Sequence, residues 1–400
     1  MAHLRLLLPV LTLLSACVFS NATFSWSPGL PVTGSAFSSN EVFVGSVNSL
    51  EDATIDLVFT PNSFTVANAL VCYNDGARAY TCNSFGTSTT GYGGVLEDLD
   101  RDGFLDYVSP REICWGDGTQ TSFSVCVATQ QVPCNSRLLA TADFNHDTLP
   151  DVVIACLSAN NKIALNTGTR AMWPAAFLDV DNFAERTWEV AAGHVNAAVD
   201  NHMDLVIGQY DDNQRICLGN GDGTFDCSIV YDSLVSRARQ IEVIDFDMDG
   251  HNDIVRSNDG NPRIRICYGD SSNAWTCNSY DTAYAGNSAY GYDIGDIDKD
   301  GWLDIAVAHA FPNPAGVCRG LGSRALNCDV SFNGDIHDAG TAGLKLALLD
   351  GDDVLDAVIS NRPDTSDSFT YYGITPSPTP SPSPFPTPSP TPSPTPSFSP

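Results

Sequence analysis

Cationic residues are scarce in this chain: 19 Lys and Arg stand against 48 Asp and Glu, a formal charge of −29 at pH 7 over 400 residues. A field of that sign repels phosphate backbones and anionic lipid heads, which excludes nucleic acid as a partner. Long apolar runs are also missing. The stretch from Leu6 to Leu14 falls well short of the ~18 residues that a membrane-spanning helix needs. No Cys-x-x-Cys knuckle, His-x-x-x-His pair or Gly-x-Ser-x-Gly elbow occurs, so the sequence offers neither a zinc-knuckle nor a serine-nucleophile signature. Cysteine, by contrast, is plentiful at 13, which indicates an oxidising compartment.

The two ends read as processing and spacer segments. Arg5, the apolar run and the small residues Ser15, Ala16, Ser20 and Ala22 predict a signal peptide over 1–20 and hence secretion. An alternative is a lipid anchor on Cys17, because Leu14-Ser15-Ala16-Cys17 resembles a lipoprotein cleavage box. Over 375–400, proline alternates with Ser or Thr and 12 of the 24 prolines gather. That composition predicts an extended polyproline II rod with no packed core, and it resembles hydroxyproline-rich wall and matrix glycoproteins.

Residues 21–374 are repetitive. An apolar strand, an acidic nine-residue loop and an Asp followed by β-formers recur, with closing aspartates at 56, 106, 151, 204, 253, 304 and 356, spaced by 45 to 53 residues. Such a period with short β-rich runs predicts an all-β, seven-bladed β-propeller of four-stranded antiparallel blades. Cys72/Cys82, Cys217/Cys227, Cys267/Cys277 and Cys318/Cys328 are ten apart and Cys114/Cys126 twelve, each pair flanking a turn-rich hairpin that a disulfide would staple. Cys134 and Cys156 remain as a sixth pair. The seventh repeat has Tyr371 in the Cys place and no fourth strand of its own. Thr23 to Trp26 resembles fourth-strand text with Trp26 in the matching place, so the N-terminal strand is expected to close the ring.

Four acidic loops are near complete. They are Asp98, Asp100, Asp102, Phe104 and Asp106; Asp143, Asn145, Asp147, Leu149 and Asp151; Asp245, Asp247, Asp249, His251 and Asp253; and Asp296, Asp298, Asp300, Trp302 and Asp304. Side-chain oxygens at positions 1, 3, 5 and 9, with the carbonyl of position 7, form an all-oxygen anionic set that suits a hard cation such as Ca²⁺. An EF-hand is excluded, because position 12 is Ser109, Ile154, Arg256 or Val307. The Asp-x-Asp-x-Asp-Gly-x-x-Asp pattern resembles the FG-GAP/VCBS repeat family, which includes the integrin α-subunit propellers. That resemblance implies about four structural calcium ions on these residues. Leu50, Ala198 and Leu348 interrupt the three degraded loops, which makes them poor binders.

Alternating strand direction puts the acidic loops and the Cys hairpins on one face. The opposite face carries Tyr92, Glu185, Arg186, Trp188, Tyr210, Arg237, Arg239, Asn258, Tyr290, Tyr292, His309, His337 and Arg362. Aromatics mixed with polar groups suit a sugar or protein surface. The expectation is a monomeric, non-enzymatic recognition or adhesion module with an extracellular glycan or protein ligand. A structural wall or matrix glycoprotein is the alternative, and a propeller lyase or hydrolase a more distant one.

Overall fold

The computed structural model describes residues 25–374 apart from 28, 33–38, 49–53, 62–66, 90–92, 120–122, 124, 130–131, 171–175, 197–199, 236, 282–287, 311–314, 332–339 and 363–367. The signal segment with Cys17, the proline tail, Leu50, Asp52, Tyr92, Ala198 and His337 lie outside the described residues. No helix among the described residues is long and apolar enough to cross a membrane.

Seven antiparallel four-stranded sheets follow one another along the chain, and each is a blade. Blade 5 is representative: Arg237–Ile244, Asp253–Asp259, Ile264–Tyr268 and Thr276–Tyr280 pair in sequence order. The second strands, such as Asp56–Pro61, Asp204–Gln209 and Asp304–His309, are buried at every residue. This explains the apolar run that follows each opening Asp, whereas fourth strands such as Thr276–Tyr280 are mostly half-exposed and polar. First strands line the centre. In six blades the first strand shifts register near its start, as at Ser39/Glu41, Thr187/Glu189 and Ala238/Ile241. Such a bulge bends a strand and re-aims the side chains beside it.

Each gap between neighbouring blades is filled by its own apolar cluster. Val206 and Ile216 of blade 4 meet Ile241 and Ile254 of blade 5, and the same scheme runs around the ring. The gap between the last and first blades is filled alike, with Val42, Leu57, Phe59 and Cys72 against Ala347, Leu349, Val358 and Tyr372. All six expected disulfides are present: 72/82, 114/126, 134/156, 217/227, 267/277 and 318/328.

The N-terminal segment closes the ring as expected. Leu30–Pro31 is the outer strand of the last blade, paired on Phe369–Tyr371, and Ser25–Trp26 pairs with Gly373–Ile374. The expected register needs correction. Tyr371 does occupy the Cys place, opposite Ala357 as Cys267 is opposite Ile254. Trp26, however, pairs with Gly373. The N-terminal strand advances from 26 to 30 while its partner retreats from 373 to 370, so it carries one extra residue. Gly29 is the residue against Tyr371, whose ring an added Cβ would meet at 2.7 Å. Trp26 still packs in the same apolar cluster as Tyr371.

Candidate metal sites and the opposite face

The four acidic loops share one backbone design. In the first, Asp98 accepts hydrogen bonds from the amides of Asp102 (3.1 Å) and Gly103 (2.9 Å), and Asp102 accepts from Phe104 (2.9 Å). Asp143, Asp245 and Asp296 accept the corresponding pairs in the other three. These bonds wind the loop tightly enough to need left-handed residues at position 4, where Arg101, His146, Met248 and Lys299 have φ of 59° to 60°. Position 6 is left-handed too. Gly103, Gly250 and Gly301 meet that demand without a Cβ, while Thr148 takes φ 75° in the second loop.

The closing aspartates are fully buried in all seven blades. Each holds at least two backbone amides, one from its own loop and one from the end of the third strand, and Asp253 also takes that of Asp247. Asp106 takes Leu99 and Gly116, Asp253 takes Phe246 and Gly269, and Asp304 takes Ile297 and Gly320. Asp56, Asp204 and Asp356 of the degraded loops do the same. Position 9 is therefore first a structural staple between two loops, with or without a cation. Burial raises Asp106 and Asp304 to about 7 and Asp151 and Asp253 to about 6, with their amide bonds opposing the shift.

Carboxylate oxygens converge at the tips. Those of Asp98, Asp100 and Asp106 lie within 4.8 Å of one another, as do those of Asp245, Asp247 and Asp249, and of Asp296, Asp298 and Asp300. Oδ1 of Asp247 and Oδ1 of Asp298 are buried with no hydrogen-bond partner. Such an oxygen is costly to desolvate unless a cation or donor meets it. In the second loop the Asn145 amide spends a donor on Asp147 (3.0 Å). Position 7 residues also pack: Trp302 lies across Gly322, where an added Cβ would come within 2.9 Å of its ring.

Arginines from the next blade reach these loops, a feature the sequence reading missed. Arg170 pairs with Asp100 and Asp102, Arg324 with Asp247 (2.5 Å) and Asp249 (3.2 Å), and Arg78 with Asp350 (2.5 Å). Each projects from the hairpin between third and fourth strands. The loop at 296–304 differs, since its acidic tip is approached only by Arg319 of its own blade, 3.7 Å from Asp298, among the described pairs. At the second loop the neighbour's contribution is His202, whose Nδ1 lies 2.9 Å from Nε2 of His146.

The opposite face is built from arginine and aromatic side chains. Trp188 and Tyr210 stack at 5.4 Å, with Arg137 and Arg239 over Trp188 and Arg186 and Arg237 over Tyr210. Arg186 and Arg237 are about half exposed, and Asp211 and Asp259 are the acids beside them. Three residues expected on this surface are instead interior. Asn258, Tyr292 and His309 are fully buried, because they lie on strands covered by neighbouring blades. Tyr292 donates to the Val255 carbonyl (2.7 Å) and Asn258 to the Pro262 carbonyl (2.7 Å). The side chain of Arg362 is outside the described residues.

Repeats, seven blades and ring closure define the class, and residues 245–307, which span the acidic loops of blades 5 and 6, match the FG-GAP-like repeat model. The chain is thus an FG-GAP-repeat-containing seven-bladed β-propeller. No curated protein matches it in sequence. Among solved structures it is similar to an Agrocybe aegerita lectin that recognises non-reducing terminal N-acetylglucosamine, with TM-score 0.53 and 14% identity over 75% of this chain and 83% of that one. It is also similar to BBS1N in complex with ARL6DN, with TM-score 0.56 and 10% identity over 89% and 97%. YCF48 bound to D1 peptide gives TM-score 0.51 and 10% identity over 87% and 94%. At these identities the likeness concerns the fold.

Proposed function

We propose that this protein is a secreted, calcium-stabilised propeller that works as a monomeric extracellular recognition module rather than as an enzyme. The observation that carries the reading is the Trp188–Tyr210 stack ringed by Arg137, Arg186, Arg237 and Arg239 on a chain of charge −29. Stacked aromatics offer flat apolar area to a sugar ring or a side chain, and arginine forks add directional donors. Propellers of similar fold include one that recognises a sugar and others solved with protein or peptide partners, which supports the class of ligand without naming it.

On this reading calcium is held by Asp98, Asp100, Asp102 and Asp106 and the three equivalent sets, with the carbonyls of Phe104, Leu149, His251 and Trp302. The unpartnered oxygens of Asp247 and Asp298 fit such an ion. Bound calcium would supply the positive charge that relieves repulsion among clustered carboxylates, and so fix loop geometry. The alternating Pro-Ser/Thr tail supports a second reading, a wall or matrix component. Saturable binding separates the two. A glycan array and a pull-down from extracellular matrix, both with the Trp188→Ala/Tyr210→Ala variant as control, test the recognition reading. Ligand retained equally by wild type and variant would remove this face from consideration.

A further inference from the structure

The first strands enclose a central cavity of about 580 Å³. Its lining is unusual for a chain interior, because Glu41 of blade 1, Glu189 of blade 4 and Glu242 of blade 5 all contribute to it. Oε2 of each of these three glutamates is buried and has no hydrogen-bond partner. Glu189 as a whole is only 8% exposed. Between them lie apolar walls, including Phe43, Leu139, Ile241 and Leu344. One alkylammonium already belongs to the lining: Lys345 sets its Nζ 3.0 Å from Oδ1 of Asp293, whose Oδ2 accepts from the Leu346 amide at 2.7 Å. Asp293 thereby takes one of the three Lys345 donors, and the same ammonium charge also acts on Glu41, Glu189 and Glu242, whose Oε2 atoms still lack a hydrogen-bond partner.

We propose that the central cavity is a binding site for a primary alkylammonium group, with Glu41, Glu189 and Glu242 accepting its three N–H donors and the apolar walls holding its methylene stem. The count of donors and acceptors is the first reason: an ammonium has three hydrogens and no acceptor, and three glutamates line the cavity, each with one buried oxygen that has no hydrogen-bond partner and could turn towards a bound cation. The second is the wall. A bare metal ion gains nothing from Phe43, Leu139, Ile241 and Leu344, whereas a stem of several methylenes gains about 0.8 kcal/mol for each one buried. Burial, opposed by the Lys345 charge, raises Glu41 and Glu242 to about 7 and Glu189 well above the ordinary carboxyl range, so binding of a cation is coupled to release of protons from these carboxyls. This site shares no ligand with the acidic loops, but Trp188 and Arg239 of the recognition face line the same cavity, so the two sites are adjacent in space.

Titration calorimetry of the full chain with n-pentylamine tests it, with 1-pentanol as the uncharged control and Nα-acetyl-lysine amide as the peptide-borne equivalent. The expected result is saturable one-to-one binding of the amines, none of the alcohol, and a loss of at least tenfold in affinity in Glu189→Gln and in Glu242→Gln. Asp300→Asn, in a calcium loop, should leave amine binding unchanged. Tighter binding of the lysine derivative would assign the natural source to a protein side chain, and tighter binding of pentylamine to a free amine. Absence of saturable amine binding by wild type would overturn the proposal. So would binding that survives both glutamine substitutions, equal binding of the alcohol, or displacement of the amine by millimolar calcium in the Asp300→Asn background.

Discussion

Nη2 of Arg324 in blade 6 lies 3.2 Å from Oδ2 of Asp249 in blade 5, while its Nε sits on Asp247. A guanidinium thus spans positions 3 and 5 of the neighbouring acidic loop and carries part of the positive charge that a calcium ion would bring. Arg170 makes the equivalent pair at the loop of Asp100 and Asp102. The propeller therefore has two kinds of acidic loop, those with an arginine counter-ion spanning the tip and those without.

Calcium affinity should follow that division. The loop at Asp296 to Asp304 is expected to bind more tightly than the loop at Asp245 to Asp253, and Arg324→Ala should tighten the latter on the order of tenfold by removing a competing charge at contact distance. Calorimetry on Asp300→Ala, which leaves the two arginine-guarded loops and the loop at Asp143 to Asp151, and on the Arg324→Ala variant would resolve the order. Unchanged affinity after Arg324→Ala would show that the arginine and the ion do not compete.

The closing aspartates should be needed whether or not calcium is bound. Asp56→Ala, in a degraded loop, strands the amides of Val47 and Asn74 and is expected to cost about 2–4 kcal/mol. The loss should be the same in calcium and in chelator. For Asp304→Ala the loss should be larger in calcium, because a ligand is removed as well as a staple. Thermal unfolding of both variants under both conditions distinguishes these roles.

Ring closure can be tested by cross-linking at the corrected register. Gly29→Cys with Tyr371→Cys should oxidise in folded protein and raise the melting temperature, since it restores the cross-strand bridge made elsewhere by pairs such as Cys267–Cys277. Trp26→Cys with Tyr371→Cys should not oxidise, because Trp26 is registered with Gly373. Thiol titration of the two double variants reads the difference, and the reverse outcome would place Trp26 opposite Tyr371, two residues along the partner strand from Gly373.

Stability should depend on pH through the central glutamates. The folded pKa of Glu242 is raised from 4.5 to about 7 by burial, so between those values the native state binds more protons than the unfolded chain. Its contribution is present below the unfolded pKa and is lost as pH rises through about 7. Glu242→Gln should therefore recover on the order of 1–3 kcal/mol relative to wild type at pH 8 and little at pH 4. Denaturant midpoints at the two pH values provide the measurement.

The sequence by itself determined the repeat, and through it the blade. The nine-residue Asp pattern, the ten-residue Cys spacing and the aliphatic second strands are local, because loop winding, hairpin pairing and two-sided burial act within about 50 residues. The missing Cys at Tyr371 even pointed to closure by the N-terminus. What tertiary structure decided is everything that requires two blades to face each other. The extra residue between 26 and 30 shows only in the pairing of the two chain ends, Trp26 with Gly373 and Leu30 with Thr370. Arg78, Arg170 and Arg324 stand in unremarkable hairpin text, and only the neighbouring blade supplies their acids. Glu41, Glu189 and Glu242 lie more than 50 residues apart in sequence, on first strands that meet only when the ring closes. Asn258, Tyr292 and His309 resembled surface residues because burial by an adjacent blade leaves no periodic mark in the strand it covers.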